Sequence, residues 1–221
     1  MVIDNLEELY RTRFEEEKLP QKNAVWKVLC NDFLQKYIRK DSAVLDIGAG
    51  YCEFINNIQC AKKYAIDLNE NTAKFAGPGV KVFQCSSTDL SVFADASIDI
   101  SFMSNFLEHL KSREDILRTL SEVFRILRPG GGIIILQPNI RYLYKQYWDY
   151  FDHQIPLSDK SLTEALQMTG FTIEKIIDRF LPYTTKSSIP KNPWLVKLYL
   201  KMPFIWKIMG KQTFIYGTKN V

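Results

Sequence analysis

The feature that most constrains the fold of this chain is a series of short apolar runs separated by helical segments. Strands that are apolar along their whole length are typical of a parallel sheet covered by helices on both faces. We therefore predict an α/β fold with a doubly wound, mostly parallel sheet. The runs that support this prediction are AVLDI (43–47), KYAID (63–67), VKVFQ (80–84), IDISFM (98–103) and GIIIL (132–136).

The helix between the last two of these runs has the clearest predicted boundaries. Ser112 and Asp115 have the spacing of a capping box, and an apolar stripe at helical spacing follows them. Pro129 and Gly130 are predicted to end this helix. A further helix is predicted at 160–169, just before a glycine.

The end of the sheet is predicted to be antiparallel. FTIEKIIDRF (171–180) and TFIYGTK (213–219) both have the composition of strands, and no βαβ crossover is recognisable between them. Two such strands favour a hairpin at the sheet edge, which gives a seven-stranded sheet with an antiparallel last strand. We expect an N-terminal helical cap at 1–40 and an α/β domain at 41–221, with an aromatic and basic insertion at about 183–211.

The composition is that of a globular domain without a disulfide or zinc framework. The chain has 221 residues, of which 46% are hydrophobic and 24% charged, and this suits one domain with a substantial core. Its four cysteines show no CxxC spacing and no paired histidines nearby, so no metal site is predicted. We recognise no signal peptide and no transmembrane run, and we expect a cytoplasmic protein.

The charge of the chain is unevenly distributed. The net charge is +4, yet no acidic residue follows Asp178, and the segment after it carries Arg179 and seven lysines, a local charge of +8. The rest of the chain therefore carries −4. Proteins that bind nucleic acid spread basic charge over one face, so this pattern predicts no nucleic-acid partner.

A glycine turn follows the first apolar run, in the stretch VLDIGAGYCEF (44–54). Gly48 and Gly50 fit the dinucleotide fingerprint G-x-G-x-x-G, but Glu53 occupies the place of its third glycine. Asp46 would face a pyrophosphate unfavourably, and it suits a ligand that carries an amine or sulfonium charge. A nicotinamide-dependent oxidoreductase is therefore disfavoured.

Polar residues also follow the next three runs. Ligands of open α/β sheets bind at the carboxyl ends of the strands, so these residues are binding candidates. Asp67 lies roughly 20 residues beyond Gly48, the distance at which an acid meets ribose hydroxyls. Asp89, beside Thr88, can accept a hydrogen bond from the exocyclic amine of a base. The residues after the fourth run are Ser104, Asn105 and Phe106.

With these motifs the chain resembles the class I S-adenosylmethionine-dependent methyltransferases, of the methyltransferase type 11-like group. The resembling stretches are VLDIGAG, YAIDLN, SSTDL, FADASIDISFMSNFLEHL and ILRPGGGIIILQPN, within residues 43–140. The resemblance implies S-adenosyl-L-methionine as cofactor and S-adenosyl-L-homocysteine as product. One position departs from the pattern, since many members have glycine where this chain has Cys52.

The resemblance also implies which residues bind the cofactor. It places Asp46, Gly48, Ala49 and Gly50 along the methionyl part. It places the ribose at Asp67 and Leu68, the adenine near Thr88 and Asp89, and the side of the cofactor along Ser104, Asn105 and Phe106.

A methyl acceptor that reacts through oxygen must lose a proton, which calls for a base. The chain has two histidines. His153, next to Asp152 in the loop after the fifth strand, is the predicted catalytic base, and His109 in FLEHL is the weaker candidate. The alternative for each histidine is a structural role.

Substrate contacts are predicted in the aromatic stretch IRYLYKQYWDYFDH (140–153) and just before it. Its rings either form a lid over a flat or sugar-like acceptor or pack as a helix on the body of the domain. The candidate substrate residues are Asn139, Arg141, Tyr142, Trp148 and Asp149.

The basic insertion contains KNPWLVKLYLKMPFIWKIMGK (191–211), in which Pro203 interrupts any continuous helix. Three roles remain open for it: peripheral membrane contact through aromatic anchors and lysines, a homodimer interface, and the roof of the substrate pocket. The flanking stretches DHQIPLSDKSLTEALQMTGF and GKQTFIYGTK loosely resemble methyltransferases of glycan and lipid-linked saccharide assembly.

The leading prediction is an enzyme that methylates a hydroxyl or amine of a small molecule, such as a saccharide or a lipid-linked saccharide. One alternative is methylation of a lipid or quinone precursor at the inner face of a membrane. Another is a non-catalytic cofactor-binding subunit. The presence of both Asp67 and Asp89 argues against that subunit, because a fold kept only to hold a partner does not need both acids.

Overall fold

One seven-stranded sheet organises the fold, in the strand order β3-β2-β1-β4-β5-β7-β6. A computed structural model describes residues 19–183 and 192–220. Strands β1 to β5 pair in parallel, whereas β7 runs antiparallel to both β5 and β6. The predicted fold class is therefore confirmed. The strands are β1 (Ala43–Ile47), β2 (Lys62–Asp67), β3 (Val80–Gln84), β4 (Ile98–Ser104), β5 (Leu127–Pro138), β6 (Thr172–Leu181) and β7 (Gln212–Thr218).

Helices connect the strands and cover both faces of the sheet. The α-helices of the described residues are α1 (Leu19–Asp32), α2 (Glu53–Asn57), α3 (Thr72–Phe75), α4 (Arg113–Ile126), α5 (Ile140–Leu143), α6 (Asp159–Met168), α7 (Pro193–Leu200) and α8 (Pro203–Met209). Three 3-10 turns complete the set, at Leu34–Tyr37, Leu107–His109 and Tyr147–Asp149. The predicted cap at 1–40 contains α1, and its first 18 residues lie outside the described part of the chain.

Both faces of the central strands are buried, which explains why these strands are apolar along their length. In β1, Leu45 and Ile47 belong to the core cluster under α4 and α6, while Val44 belongs to the cluster under α1 and α2. All five residues of β1 are buried. The central strands can therefore present nothing to solvent except their ends.

Helix α4 begins where the sequence predicts and ends earlier than predicted. The Ser112 side chain caps it by accepting a hydrogen bond from the Asp115 amide at 3.0 Å. The helix ends at Ile126, and β5 starts at once because Leu127 pairs with Ile98. Pro129 and Gly130 thus lie in the first part of β5, where the Gly130 amide donates to the Lys219 carbonyl at 2.7 Å.

Helices α7 and α8 fill the insertion between β6 and β7, and Pro203 starts α8 as the predicted break requires. The Tyr199 hydroxyl donates to the Phe180 carbonyl, and the Trp206 indole donates to the Tyr199 carbonyl at 2.8 Å. The Trp206 ring also packs edge-on against Phe33. None of the helices in the described ranges is long and apolar enough to cross a bilayer.

Candidate active site

The turn between β1 and α2 contains two glycines in a backbone conformation that other residues rarely adopt. Gly48 and Gly50 both have positive φ, at 69° and 49°. A Cβ atom on Gly48 would lie 2.3 Å from Cδ2 of Phe106, so a side chain at this position would displace that ring. The Gly48 and Ala49 amides donate to the Ile66 carbonyl at 2.9 and 3.1 Å. The turn is therefore fixed to the end of β2 and lies beside Phe106.

Cys52 adopts the same left-handed conformation as the glycines, with φ at 58°. Its side chain is buried in the core, and burial raises the pKa of the thiol to about 12. A thiol with this pKa stays neutral and unreactive at neutral pH. The cysteine therefore packs inward at a backbone position that favours glycine.

Asp67 joins the ends of the first two strands. Its Oδ2 accepts a hydrogen bond from the Gly50 amide at 2.8 Å, and its Oδ1 accepts one from the Asn69 amide at 2.9 Å. Burial raises the pKa of this carboxyl, while these amide donors oppose the increase. A carboxylate has about four acceptor sites, so capacity remains for the two hydroxyls of a ribose.

Asp46 is a buried acid, only 4% exposed, one residue before the end of β1. Burial raises its pKa well above the usual range, and the negative charge of Glu53 adds to the increase. A cationic ligand near this carboxyl would favour its ionised form, because an opposite charge lowers the pKa of an acid.

The other predicted cofactor residues lie along the same edge of the sheet. Asn105, directly after β4, has a positive φ of 48°, and its amide donates to the Leu136 carbonyl at 2.9 Å. Leu68 and Asp89 are exposed, and hydrogen bonds from the side chain and then the amide of Ser91 lower the pKa of the Asp89 carboxyl. The remaining two residues are Thr88, which hydrogen-bonds Ser86, and Ser104, the last residue of β4.

These features together fit S-adenosyl-L-methionine. A turn in which Gly48 and Gly50 carry no side chain, an acceptor for ribose hydroxyls and a buried acid that favours positive charge match the ligand's shape and its sulfonium and ammonium charges. The assignments of individual residues to parts of the cofactor remain predictions.

A second group of polar side chains lies beyond β4 and β5, where Glu108, His109 and His153 converge. Each of the three offers an oxygen or nitrogen atom, and these atoms all lie within 4.8 Å of one another. The 3-10 turn after β4 carries Glu108 and His109, and the Glu108 carbonyl accepts from the Gln154 amide at 2.8 Å. This contact brings the loop with His153 to the end of β4.

The two carboxylates around His109 fix its orientation and charge. The His109 Nδ1 lies 3.1 Å from Oδ2 of Asp152, and its Nε2 lies 3.8 Å from Oε1 of Glu108. Burial opposes a positive charge on this ring, but the two carboxylates prevail and raise its pKa to about 9. Burial also raises the pKa of Glu108, which is completely inaccessible to solvent.

His153, the predicted base, is 5% exposed and surrounded by rings. It stacks on Tyr150 with 5.1 Å between ring centroids, and it meets the edge of Tyr147 at 4.7 Å and of His109 at 5.1 Å. Its neighbour Tyr147 is buried, and the Tyr147 hydroxyl donates to the Ile155 carbonyl at 2.7 Å. His153 is therefore held in one place, and its catalytic role stays a prediction.

Three of the predicted substrate residues make contacts within the protein. Asn139 is buried at the start of α5, and its side-chain Nδ2 donates a hydrogen bond to Oδ1 of Asp159 at 2.9 Å. The Arg141 guanidinium donates to both oxygens of Asp159, at 2.9 and 3.0 Å, and the Tyr142 hydroxyl donates to Asp178. These contacts join α5 to α6 and β6. Their predicted substrate role remains untested.

The aromatic stretch at 140–153 contains both rings that pack in the domain and rings that are exposed. It forms the short α5 and a 3-10 turn instead of one helix. Tyr147 packs in the interior, whereas Trp148 is 57% exposed and Asp149 is also exposed. The exposed rings, including Phe151, are the ones free to meet an acceptor.

Glu108 and Gln137 are candidate site residues that the sequence did not single out. Gln137 lies near the end of β5, and its side-chain Nε2 donates a hydrogen bond to Oε2 of Glu108 at 2.9 Å. One local feature of the sequence could have indicated Glu108, because this acid stands next to a histidine shortly after a buried strand.

Comparisons with known proteins agree with the geometry. Residues 45–135 match the family model described as methyltransferase domain. A probable S-adenosylmethionine-dependent methyltransferase of Mycolicibacterium smegmatis is 36% identical over 90 residues, which cover 39% of this chain and 33% of that protein. The ubiquinone/menaquinone biosynthesis C-methyltransferase of Desulfotalea psychrophila is 31% identical over 116 residues, which cover 48% of this chain and 45% of that protein. The chain thus spans less than half the length of these two relatives.

A solved structure also has a similar fold. The crystal structure of a SAM-dependent methyltransferase from Archaeoglobus fulgidus superposes with a TM-score of 0.68 and 22% identity. The superposition covers 97% of this chain and all of that one.

Proposed function

We propose that this chain is a class I, S-adenosylmethionine-dependent methyltransferase that transfers a methyl group from that cofactor to a small-molecule acceptor, and the match of residues 45–135 to a methyltransferase domain supports this proposal. The acceptor atom is a hydroxyl oxygen or an amine nitrogen. The observation that carries the proposal is the glycine turn at Gly48, which lies against Phe106 and is joined to Asp67 through the Gly50 amide.

The proposed reaction depends chiefly on holding the reactants in line. S-adenosyl-L-methionine supplies a methyl group on a sulfonium, and its leaving group is a neutral thioether. The chain contributes a rigid turn on one side and the buried group of Glu108, His109 and His153 on the other. Holding two reactants in such a site can supply about 7–11 kcal/mol of the barrier.

A hydroxyl that accepts the methyl group must also transfer its proton to a base. His153 is the proposed acceptor of that proton, and the neighbouring aromatic rings and the buried backbone keep it in position. His109 suits this role less, because its raised pKa means that it already carries a proton at neutral pH. A positioned base contributes typically 10²–10⁴-fold in rate.

A saccharide or lipid-linked saccharide is the proposed acceptor class, with a quinone precursor as the alternative. The exposed rings of Trp148 and Phe151, in the same stretch of sequence as His153, support a ligand with a flat or sugar-like surface, because such rings stack on apolar faces.

The test is a transfer assay with S-adenosyl-L-methionine labelled on its methyl group. We expect label in a saccharide acceptor together with one equivalent of S-adenosyl-L-homocysteine. Label in a phenolic quinone precursor instead would favour the alternative. Cofactor binding without turnover of any acceptor, saccharide or quinone precursor, would contradict the enzyme and favour a non-catalytic subunit.

We also propose that α7 and α8 bring the protein to an anionic membrane surface. Their inner side is anchored through Tyr199 and Trp206, yet large apolar side chains and lysines remain exposed around them. Aromatic anchors combined with lysines are typical of interfacial segments. The exposed apolar residues are Trp194, Leu195, Leu198, Phe204 and Ile208, and the exposed lysines are Lys197, Lys201 and Lys207.

Vesicle flotation tests this contact. The double substitution Lys201→Glu and Lys207→Glu should abolish binding to anionic vesicles, because each lysine near such a surface contributes about 1 kcal/mol. Lys197 is left unchanged since it lies 3.7 Å from Asp32. The matched control is Lys62→Glu with Lys81→Glu, the same charge change on exposed lysines of β2 and β3.

Equal binding to anionic and neutral vesicles would contradict the membrane proposal. In that case the homodimer and pocket-roof alternatives remain. Trp194→Ala would then change the mass in solution if the segment is a dimer interface, or the turnover if it covers the pocket.

A further inference from the structure

The group formed by Glu108, His109 and His153 has the composition of a transition-metal site. Two imidazoles and one carboxylate form a ligand set that suits iron, manganese, cobalt or zinc. The two histidines of the group are the only ones in the chain. This arrangement is not visible in the sequence because the residues come from separate loops, after β4 and after the turn at Tyr147–Asp149.

The imidazole of His109 is oriented as a metal ligand would be. Its Nδ1 faces the Asp152 carboxylate at 3.1 Å, which leaves Nε2 directed toward Glu108. A carboxylate that holds the far nitrogen of a ligating histidine is a common arrangement at metal sites. The distance of 3.8 Å from Nε2 to Oε1 of Glu108 is too long for a hydrogen bond. It is near the separation of roughly 3–3.5 Å between two atoms bound to one ion at about 2.1 Å.

Glu108 supplies an independent observation. The residue is completely buried, and its Oε2 is occupied by the Gln137 amide at 2.9 Å. Its Oε1, directed at His109, has no hydrogen-bond partner among the described residues. A buried carboxylate oxygen without a donor is costly, and a bound cation would remove that cost. The atom without a donor is the one that faces His109.

We propose that Glu108, His109 and His153 bind one divalent transition-metal ion beside the acceptor position. Its role in methyl transfer rests on the proposed function, whereas the binding itself does not. Three protein ligands leave open positions on the ion. An acceptor with two neighbouring oxygens, such as a vicinal diol, would fill them and have its reacting oxygen made more acidic. In the metal-bound protein His153 is a ligand instead of the base.

Titration of Co²⁺ into the untagged 221-residue chain tests the proposal, followed by calorimetry and by the visible absorption of the bound ion. We expect one ion per chain. Glu108→Gln, which keeps the shape and the Gln137 contact, and His153→Gln should each abolish this binding. Asp152→Asn should weaken it about 10–100-fold, the usual effect of changing a residue that orients a metal ligand.

The controls separate this site from the cysteines. Cys60→Ser with Cys85→Ser removes the two partly exposed thiols and should leave Co²⁺ binding unchanged. Circular dichroism and thermal melting confirm that each variant is folded. The proposal is overturned if the wild-type chain does not bind Co²⁺, if Glu108→Gln binds it equally well, or if the cysteine control loses it.

The same experiment distinguishes failure of the metal site from failure of the proposed function. Methyl transfer at full rate in a chelator, with no ion bound, would overturn the ion's role in methyl transfer and support His153 as the base, whereas the binding site itself is decided by the Co²⁺ titration. Co²⁺ binding that depends on Glu108, in a chain that transfers methyl to no acceptor, would support the ion site and contradict the proposed function.

Discussion

The two halves of the candidate site are built in different ways. The cofactor half, at the ends of β1 and β2, is made largely of main chain. Its shape follows from the positive φ angles at Gly48 and Gly50 and from amides that donate to Ile66 and Asp67. The acceptor half, at the ends of β4 and β5, is made of side chains that meet across long sequence distances. Gln137 lies 29 residues from Glu108, and Asp152 lies 43 residues from His109.

This difference indicates how the two halves can change. A main-chain turn tolerates few substitutions and leaves little room for a new ligand, so it suits a cofactor that stays the same. A network of side chains can be altered one residue at a time, so it suits an acceptor that differs between enzymes. We expect substitutions in one half to leave the other half's ligand unaffected.

The largest expected effect is in the acceptor half. His153→Ala should lower methyl transfer to an oxygen acceptor by ~10²–10⁴-fold, because the reaction loses either its base or a metal ligand. The affinity for S-adenosyl-L-methionine should stay the same. Steady-state rates and calorimetry measure the two quantities, and Lys145→Ala, an exposed change in the same stretch, is the control. A variant with normal turnover would return His153 to a structural role.

The next effect is in the cofactor half. Gly48→Ala should weaken cofactor binding by about 100-fold or more, because its Cβ would lie 2.3 Å from Phe106. Overpacking of this kind costs typically 1–3 kcal/mol, in addition to about 1–2 kcal/mol for a side chain at positive φ. The matched control is Gly79→Ala, which has a φ of 82° and open space around it.

Urea unfolding and calorimetry should separate these two glycines. Both variants should be less stable than the wild type, because each places a side chain at a position with positive φ. Only Gly48→Ala should also lose affinity for the cofactor. If Gly79→Ala weakened the cofactor equally, the effect would be general destabilisation and the distinction between the halves would fail.

The smallest effect concerns the support of the acceptor half. Although burial opposes it, hydrogen bonds from Asn139 and Arg141 lower the pKa of Asp159 below its usual value. Asp159→Asn should therefore reduce the free energy of unfolding by about 1 kcal/mol at pH 7, a modest value because Arg141 is partly exposed.

The sign of the pH dependence follows from that lowered pKa. The contribution of Asp159 is complete above its unfolded pKa of roughly 3.9 and is lost as the pH falls through the folded value. The difference in stability between wild type and Asp159→Asn should therefore shrink below about pH 4. A difference that stayed constant into acid would show that the carboxylate charge does not matter.

Local sequence patterns predicted the sheet and the glycine turn. All but one of the predicted strands match the structure within one residue, because burial on both faces leaves a signal in every residue of a central strand. The exception is β5, which begins at Leu127 although its run was predicted at 132–136. Gly48 and Gly50 were visible because a positive φ restricts the amino acid at the position itself. The early end of α4 was missed, since the pairing of Leu127 with Ile98 is a contact between distant residues.

Most of the acceptor half could not be predicted for the same physical reason. Nothing near Glu108 in the sequence indicates Gln137, and nothing near Arg141 indicates that Asp159 pairs with it. Tyr147 and Trp148 are adjacent aromatic residues, yet one is buried and the other is exposed. Their environments are decided by tertiary packing, which residue type alone does not report.

Binding of S-adenosyl-L-methionine to wild type and to Asp67→Ala is the measurement that tests the central claim most directly. We predict one cofactor per chain in the wild type and a loss of about 1.5–3 kcal/mol in the variant, roughly 10- to 150-fold, as for a charged hydrogen bond. Asp95→Ala, which removes an exposed carboxylate paired with Arg125, should bind the cofactor normally. A wild-type chain that does not bind the cofactor, or an Asp67→Ala variant that binds it equally well, would contradict the account.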